Sequence, residues 1–342
     1  MRGLTLRNGG PAPPGAPSTR APLRVALVNN MPDAAFVDAE RQFLGLLRAG
    51  AGTRPLEVRL HSLDGAGRCD EIGDRLRQRY RRLDDLYREP PDAVVVTGSE
   101  PRSADLQGEP IWDELVNLFR WAESATVSVL YSCLAAHAAL LAVDGLERRR
   151  LPAKASGIYE QVVDQAHPLT TGLGPLWCPH SRLHEVPAAA LVDRGYTVHL
   201  ASAAGHPASA AGHPASAAAG WTVASRDRGC LTVLFQGHPE YSPTTLLREY
   251  RRDVRRFLAG RLDRYPDLPT DYLDPQGVGL AAAFREQAMS AGADESLIVD
   301  FPFEECASRV VADWRRPSVR LIANWITEVR RRQLQESWAK AG

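Results

Sequence analysis

The sequence predicts an α/β fold in which a mostly parallel sheet is flanked by helices, and three observations carry that prediction. Short, nearly continuous apolar runs recur at residues 23–30 (LRVALVNN), 92–100 (DAVVVTGSE) and 126–133 (TVSVLYSC). Runs of this length without polar alternation suit strands buried on both faces. Segments with apolar residues at helical spacing lie between them, so strand and helix alternate along the chain. Finally, one apolar run ends in a cysteine and passes at once into an Ala-rich stretch, a strand-to-helix turn at the carboxyl edge of a sheet, where open α/β sheets bind ligands.

In chain order, residues 38–47 (DAERQFLGLL) are expected to be helical and 56–63 (LEVRLHSL) a second strand. Residues 71–88 read as one charged helix, with Leu76, Tyr80, Leu83 and Tyr87 on its apolar stripe and its arginines on a solvated face. Residues 112–122 and 134–143 are expected to be helices, 197–202 (TVHLAS) and 230–238 (CLTVLFQGH) to contribute strands, and 246–259 and 318–335 to be amphipathic helices. The expected organisation is one domain over 23–330, preceded by a Pro/Gly-rich tail (1–22) and followed by the end of a C-terminal helix (331–342). The tail lacks the apolar surface that offsets ordering entropy and is expected to be disordered. ASAAGHP occurs twice in tandem within 201–219. A duplicated loop insertion explains its His206 and His213 better than a metal site does, because lengthening a surface loop costs little entropy.

Forty-one basic residues balance 41 acidic ones, which gives no reason to expect nucleic acid or an anionic membrane surface as partner. No apolar run reaches the ~20 residues that span a bilayer. The five cysteines are widely spaced without a CxxC pair, which argues against a disulfide framework or a structural zinc and suits a reducing cytoplasm. No metal is expected.

The chemistry concentrates in two places. Cys133 stands at the strand-to-helix turn between Ser132 and Ala135, where a helix dipole favours a thiolate. The free N–H of Leu134 is there to receive an oxyanion. Residues 236–241 (QGHPEY) follow an apolar strand, and a His with a carboxylate two residues later suits a Cys133–His238–Glu240 triad. A buried structural cysteine and an ordinary histidine are the alternatives for each taken alone; together they point to covalent catalysis. Arg252 sits on a helix that also bears Arg248, Arg251, Arg255 and Arg256, and by itself reads as surface charge.

Two related families share a strand-end Cys and a later HPE: the class I glutamine amidotransferases and the homoserine O-acyltransferases of the succinyltransferase type. Eight ordered blocks resemble the second. They are Asn29-Asn30-Met31-Pro32 with Glu40-Arg41-Gln42-Phe43, VVTGSEP (95–101), Cys133 with Ala138-Ala139-Leu140, KASGIYE (154–160), Pro179-His180-Ser181-Arg182, GHPEY (237–241), Arg252-Asp253, and Trp314-Arg315 with Asn324-Trp325. The resemblance implies a glutamine amidotransferase-like (flavodoxin-like) fold with a C-terminal extension. It also implies a CoA-dependent transfer of an acyl group through Cys133 to L-homoserine, in methionine biosynthesis. Acyl-CoA would be a co-substrate and no cofactor is needed. Lys154, Ser181 and Arg252 are carried over as substrate-binding residues, and a homodimer is implied. Arg102 aligns with the position associated with acyl choice, and a cation there favours a succinyl donor over acetyl. Serine or a related acceptor and a glutamine amidotransferase-like hydrolase remain alternatives, although an amidotransferase would carry glycine beside the cysteine. Two departures stand out: Asp33 and Ala34 replace the lysine that the family usually has after Met-Pro, and residues 277–306 have no counterpart.

Overall fold

A computed structural model describes residues 21–65, 67–103, 105–163, 167–174, 176–202, 220–292, 294–311 and 314–341. The expected tail up to residue 20 and most of the duplicated segment, including His206 and His213, lie outside the described residues. The first apolar run forms β1 (Leu23–Val28), followed by α1 (Asp33–Ala51) and β2 (Leu56–His61). β3 (Ala93–Val96), α4 (Trp112–Ala125), β4 (Ser128–Ser132) and α5 (Leu134–Asp144) continue the alternation after two short helices, α2 (Asp70–Arg79) and α3 (Leu83–Arg88). β5 (Arg149–Val163), β6 (Leu176–Glu185), α6 (Ala188–Asp193), β7 (Thr197–Ser202), β8 (Trp221–Arg228) and β9 (Cys230–Phe235) complete the sheet. The chain ends in α7 (Thr245–Leu258), α8 (Pro275–Ala291), α9 (Phe303–Ala307) and α10 (Arg315–Ala341).

All nine strands form one sheet, in the order β2-β1-β3-β4-β9-β8-β7-β5-β6. The first five are parallel, as the apolar runs predict, and the remaining pairings are antiparallel. β5, β6 and β8 were not anticipated: each mixes charged and polar residues with apolar ones, so none shows a continuous apolar run.

The expected single helix over 71–88 is instead two. After Arg79 the chain leaves the helix, Arg81 N–H donates to Leu60 O at 2.8 Å, and a bridge forms between His61 and Arg81. Pairing with the end of β2 overrides the helical spacing: Tyr80 packs on the cluster around Leu23 and Phe43, whereas α3 buries Leu83 and Leu86 in the cluster around Phe119 and Tyr131.

Both faces of the parallel half are covered. On one face α1 packs against α10, so closely that a Cβ at Gly50 would lie 2.6 Å from Ile322 Cγ2. Buried Trp325 of α10 donates its indole N–H to Ser128 Oγ of β4 at 3.0 Å. On the other face α4 and α5 bury Leu118, Phe119 and Leu140 against Val94, Val129 and Leu234. A third cluster joins α7, α8 and α9 around Tyr250, Phe284, Phe301 and Trp314. It contains the stretch over 277–306, for which no family counterpart was expected and which covers α7, and Trp314 donates to Tyr241 O at 2.9 Å. The C-terminal extension is thereby fastened to the segment after β9. Among the described residues no helix is long and apolar enough to cross a membrane.

Candidate active site

Cys133 stands where β4 ends and α5 begins. Its backbone has φ 50° and ψ −110°, a region that costs a non-glycine residue of order 1–3 kcal/mol. Hydrogen bonds on both sides hold it there: Cys133 N–H donates to Phe235 O of β9 at 2.7 Å, and Cys133 O accepts from His137 N–H at 3.1 Å. The thiol is partly exposed, whereas Cys178 and Cys230 are buried, and burial pushes the Cys230 thiol up to about 12. Leu134 opens the helix, so its N–H has no intrahelical partner and is free for an oxyanion.

Gly98, not singled out by sequence reasoning, abuts this turn. A Cβ there would lie 3.3 Å from Cys133 Cβ and 3.5 Å from Leu134 N. A side chain there would press on the Cys133 turn and require it to shift by a few tenths of an ångström. The TGSE run after a strand was the available signal.

His238 follows β9. Its Nδ1 lies 2.8 Å from Glu240 Oε1, both side chains are buried, and the imidazole stacks on Tyr241 with ring centroids 4.2 Å apart. Nε2 is left without a hydrogen bond of good geometry and faces the Cys133 side chain. Burial opposes charge on His238, but the negative charge of Cys133 and the Glu240 carboxylate outweigh it and hold its pKa well above the usual value. The imidazolium is the partner that a Cys133 thiolate requires. Cys133, His238 and Glu240, the three residues expected to form a triad, are therefore brought together, with Glu240 fixing the imidazole through Nδ1.

The turn carrying His238 is fixed from below. His238 N–H donates to Pro179 O at 2.8 Å. A Cβ at Gly237 would sit 2.9 Å from both Cys178 Sγ and His180 Nε2, so the Pro179–Arg182 block of β6 explains the glycine before the base. Gln236 is fully buried: its Oε1 lies 3.1 Å from His137 Nε2, and its Nε2 donates to Trp221 O at 3.0 Å. Burial drops His137 to about 3, so it stays neutral and ties α5 to β9. Nucleophile and base thus share one hydrogen-bonded frame.

Of the predicted substrate-binding residues, Lys154, Ser181 and Arg252 sit on β5, β6 and α7, and Arg102 lies in the segment between β3 and α4. Lys154 Nζ of β5 donates to Asp253 Oδ2 at 2.8 Å. Arg252 of α7 pairs with Asp253 at 3.0 Å and approaches Glu100 at 3.9 Å, and Arg256 joins Glu100 at 2.9 Å. Burial works against charge on Asp253, but Lys154 and Arg252 hold its carboxyl below the usual range. Glu100 is two residues beyond Gly98, which sets this cluster beside the nucleophile. Ser181 does not stand free: its hydroxyl donates to Glu249, which also accepts from Tyr241 at 2.6 Å. Its place is one step removed, steadying the aromatic ring under His238. Arg102 is exposed, while its backbone N–H donates to buried Glu109 Oε1 at 2.7 Å.

A cleft of 480 Å³ is lined by Glu240, Tyr241, Gln42, Arg248 and Trp314 and by neither Cys133 nor His238. The candidate site is marked by the strained Cys133 and by the His238–Glu240 pair rather than by this cleft. Among the described residues no three His, Cys, Asp or Glu side chains form a metal-ligating group.

A homoserine O-succinyltransferase of Rhodopseudomonas palustris is 41% identical over 307 residues, covering 89% of this chain and 87% of that protein. One of Methylorubrum extorquens is 40% identical over 309 residues, covering 90% and 87%. Among solved structures, a glutamine amidotransferase from Methylobacillus flagellatus overlaps 90% of this chain and 94% of its own, with a TM-score of 0.46 and 16% identity. The model of the homoserine O-succinyltransferase family matches residues 16–333, from ahead of β1 to within α10 and across the stretch 277–306 that was expected to have no counterpart, and the chain belongs to that family.

Proposed function

We propose that this chain is a CoA-dependent O-acyltransferase that moves a succinyl group, in preference to acetyl, onto the hydroxyl of L-homoserine, a step of methionine biosynthesis. The observation that supports it most is the strained Cys133 sharing one sheet edge with the His238–Glu240 pair, in a chain of the homoserine O-succinyltransferase family.

The reaction runs in two halves. With the proton on His238, the Cys133 sulfur attacks the thioester carbonyl, and the Leu134 N–H receives the oxyanion. The intermediate collapses, the carbon–sulfur bond to CoA breaks, and the departing CoA thiolate takes the proton from His238. In the second half His238 accepts the proton of the homoserine hydroxyl, whose oxygen attacks the acyl-cysteine. Cys133 leaves as thiolate beside the recharged imidazolium, and O-acylhomoserine departs. Glu240 holds the productive tautomer throughout. Arg252 and Lys154 hold the amino acid's α-carboxylate, a role for which a guanidinium fork is suited. Acyl-CoA acts as co-substrate and no cofactor is required. A cytoplasmic homodimer completes the reading.

The test is CoA release, followed with a thiol reagent, from succinyl-CoA or acetyl-CoA with L-homoserine or L-serine. Turnover with succinyl-CoA and homoserine should drop by about 10³-fold or more in Cys133→Ala. A folded wild type that releases no CoA with any pair, yet hydrolyses glutamine, would move the assignment to an amidotransferase.

A further inference from the structure

A small cavity of 30 Å³ opens at the carboxyl edge of the sheet, between the ends of β1 and β3, lined by Asn30, Arg68, Ser99, Glu100, Arg102 and Glu109 among others. Asn30 is 4% exposed, and neither its Nδ2 nor its Oδ1 has a partner among the described residues. A buried carboxamide left without partners is unfavourable, so it calls for a ligand. Its neighbour Asn29 shows the contrast: that side chain donates to Phe36 O at 3.0 Å and accepts from Met31 N–H at 3.2 Å. Asn29 is structural, and Asn30 is left over.

The cavity is wired to the nucleophile. Asn30 N–H donates to Thr97 Oγ1 at 2.9 Å, and Thr97 Oγ1 donates to Gly98 O at 3.0 Å. Gly98 lies against Cys133. A group held at Asn30 is therefore a short reach from an acyl carbon on the sulfur. Two methylenes, the spacing of a succinyl chain, cover about one residue of extended backbone.

The charges in the lining decide what that group is. Glu100 is taken up by Arg256 and Arg252, and Glu109 by the backbone N–H groups of Arg102 and Ser103. Arg68 is paired with Asp33 at 3.1 Å but keeps a buried Nε–H without a partner. Arg102 has no ion pair to its guanidinium among the described residues. What remains unspent is one cation at the mouth and donor capacity at the floor, which suits an anion. Arg68 and Ser99 line the same cavity as Asn30.

We propose that Asn30 is a specificity-determining residue for the acyl donor: its carboxamide, at the cavity floor, hydrogen-bonds the distal carboxylate of a dicarboxylic acyl group while Arg102 pairs with that carboxylate from the mouth. The inference rests on the acyltransferase reading and deepens it. An acetyl group ends short of the cavity and makes neither contact.

The experiment measures kcat/KM for succinyl-CoA and acetyl-CoA, with homoserine saturating, in wild type, Asn30→Ala and Asn30→Asp. Loss of one hydrogen bond to a charged group lowers the succinyl-to-acetyl ratio by about 10- to 100-fold in Asn30→Ala. Asn30→Asp keeps the shape, reverses the interaction and lowers the ratio at least as far. Thermal melts establish that the variants fold, and Asn30→Asp stands alone if Asn30→Ala does not. A purely structural Asn30 would reduce both donors together, so an unchanged ratio in a folded variant overturns this inference while leaving the transferase intact. No transfer from either donor by wild type overturns the transferase reading and this inference with it.

Discussion

The triad and the cation cluster differ in how they are held, although they share an edge of the sheet. Cys133, His238 and Glu240 come from two adjacent parallel strands, β4 and β9, and the residues beneath them are locked by Gln236, His137 and Pro179. Lys154, Arg252 and Arg256 come from an antiparallel strand and a helix, and they are held by one another's counter-ions, Asp253 and Glu100. The first region is held by the chain's own hydrogen bonds. In the second, a bound carboxylate must compete with carboxylates already present, so affinity there is set by exchange of partners rather than by new charge. The difference predicts that damage to the triad appears in kcat and damage to the cluster in KM.

Glu240→Gln is the largest expected effect. The amide keeps the shape but loses the charge and the acceptor for the Nδ1 proton, so kcat should fall by about 10²- to 10⁴-fold with little change in KM for homoserine. The pH profile sharpens the point, because without the carboxylate the His238 pKa loses one of the two charges that raise it and the alkaline limb moves to lower pH. Equal losses in kcat and affinity would place Glu240 in substrate binding instead. Arg252→Ala comes next: the KM for homoserine should rise about 10- to 100-fold, with kcat much less affected. Steady-state kinetics at fixed succinyl-CoA decide it. A kcat loss without a KM change would return Arg252 to the surface-charge reading.

The smallest effect concerns stability. Burial lowers His61 to about 4 and His137 and His199 to about 3. Their folded pKa values lie below the ~6.5 of an unfolded chain, so the stability they contribute is present above that value and is lost as pH falls from it. Each should remove about 1.4 kcal/mol per pH unit well below pH 6.5. His238 has the opposite sign: its raised pKa stabilises the fold at low pH and loses that contribution only as pH rises through the folded value. Urea titrations at pH 7, 6 and 5 should show falling stability. A flat profile would mean that the buried histidines are hydrated in solution.

Much of the candidate site's geometry was legible because its signals are local. A strand-end cysteine before an Ala-rich run and a histidine two residues from a glutamate are each read within one short segment. β5 and β6 were not legible, because their residues are polar enough to pass for loops and their pairing is decided by partners far along the chain. The same holds for Ser181, whose hydroxyl is spent on Glu249 of α7, and for Asn30, whose neighbour Asn29 looks identical in one dimension.

Apolar runs and helical spacing by themselves determined the parallel core, because burial on two faces demands continuous hydrophobicity whatever the order of the strands. Strand order, the break between α2 and α3, the approach of Gly98 to Cys133 and the self-pairing of the cation cluster were decided only in three dimensions. Each depends on which distant groups meet, and hydrogen bonds and ion pairs act over a few ångströms of space whatever their separation in sequence.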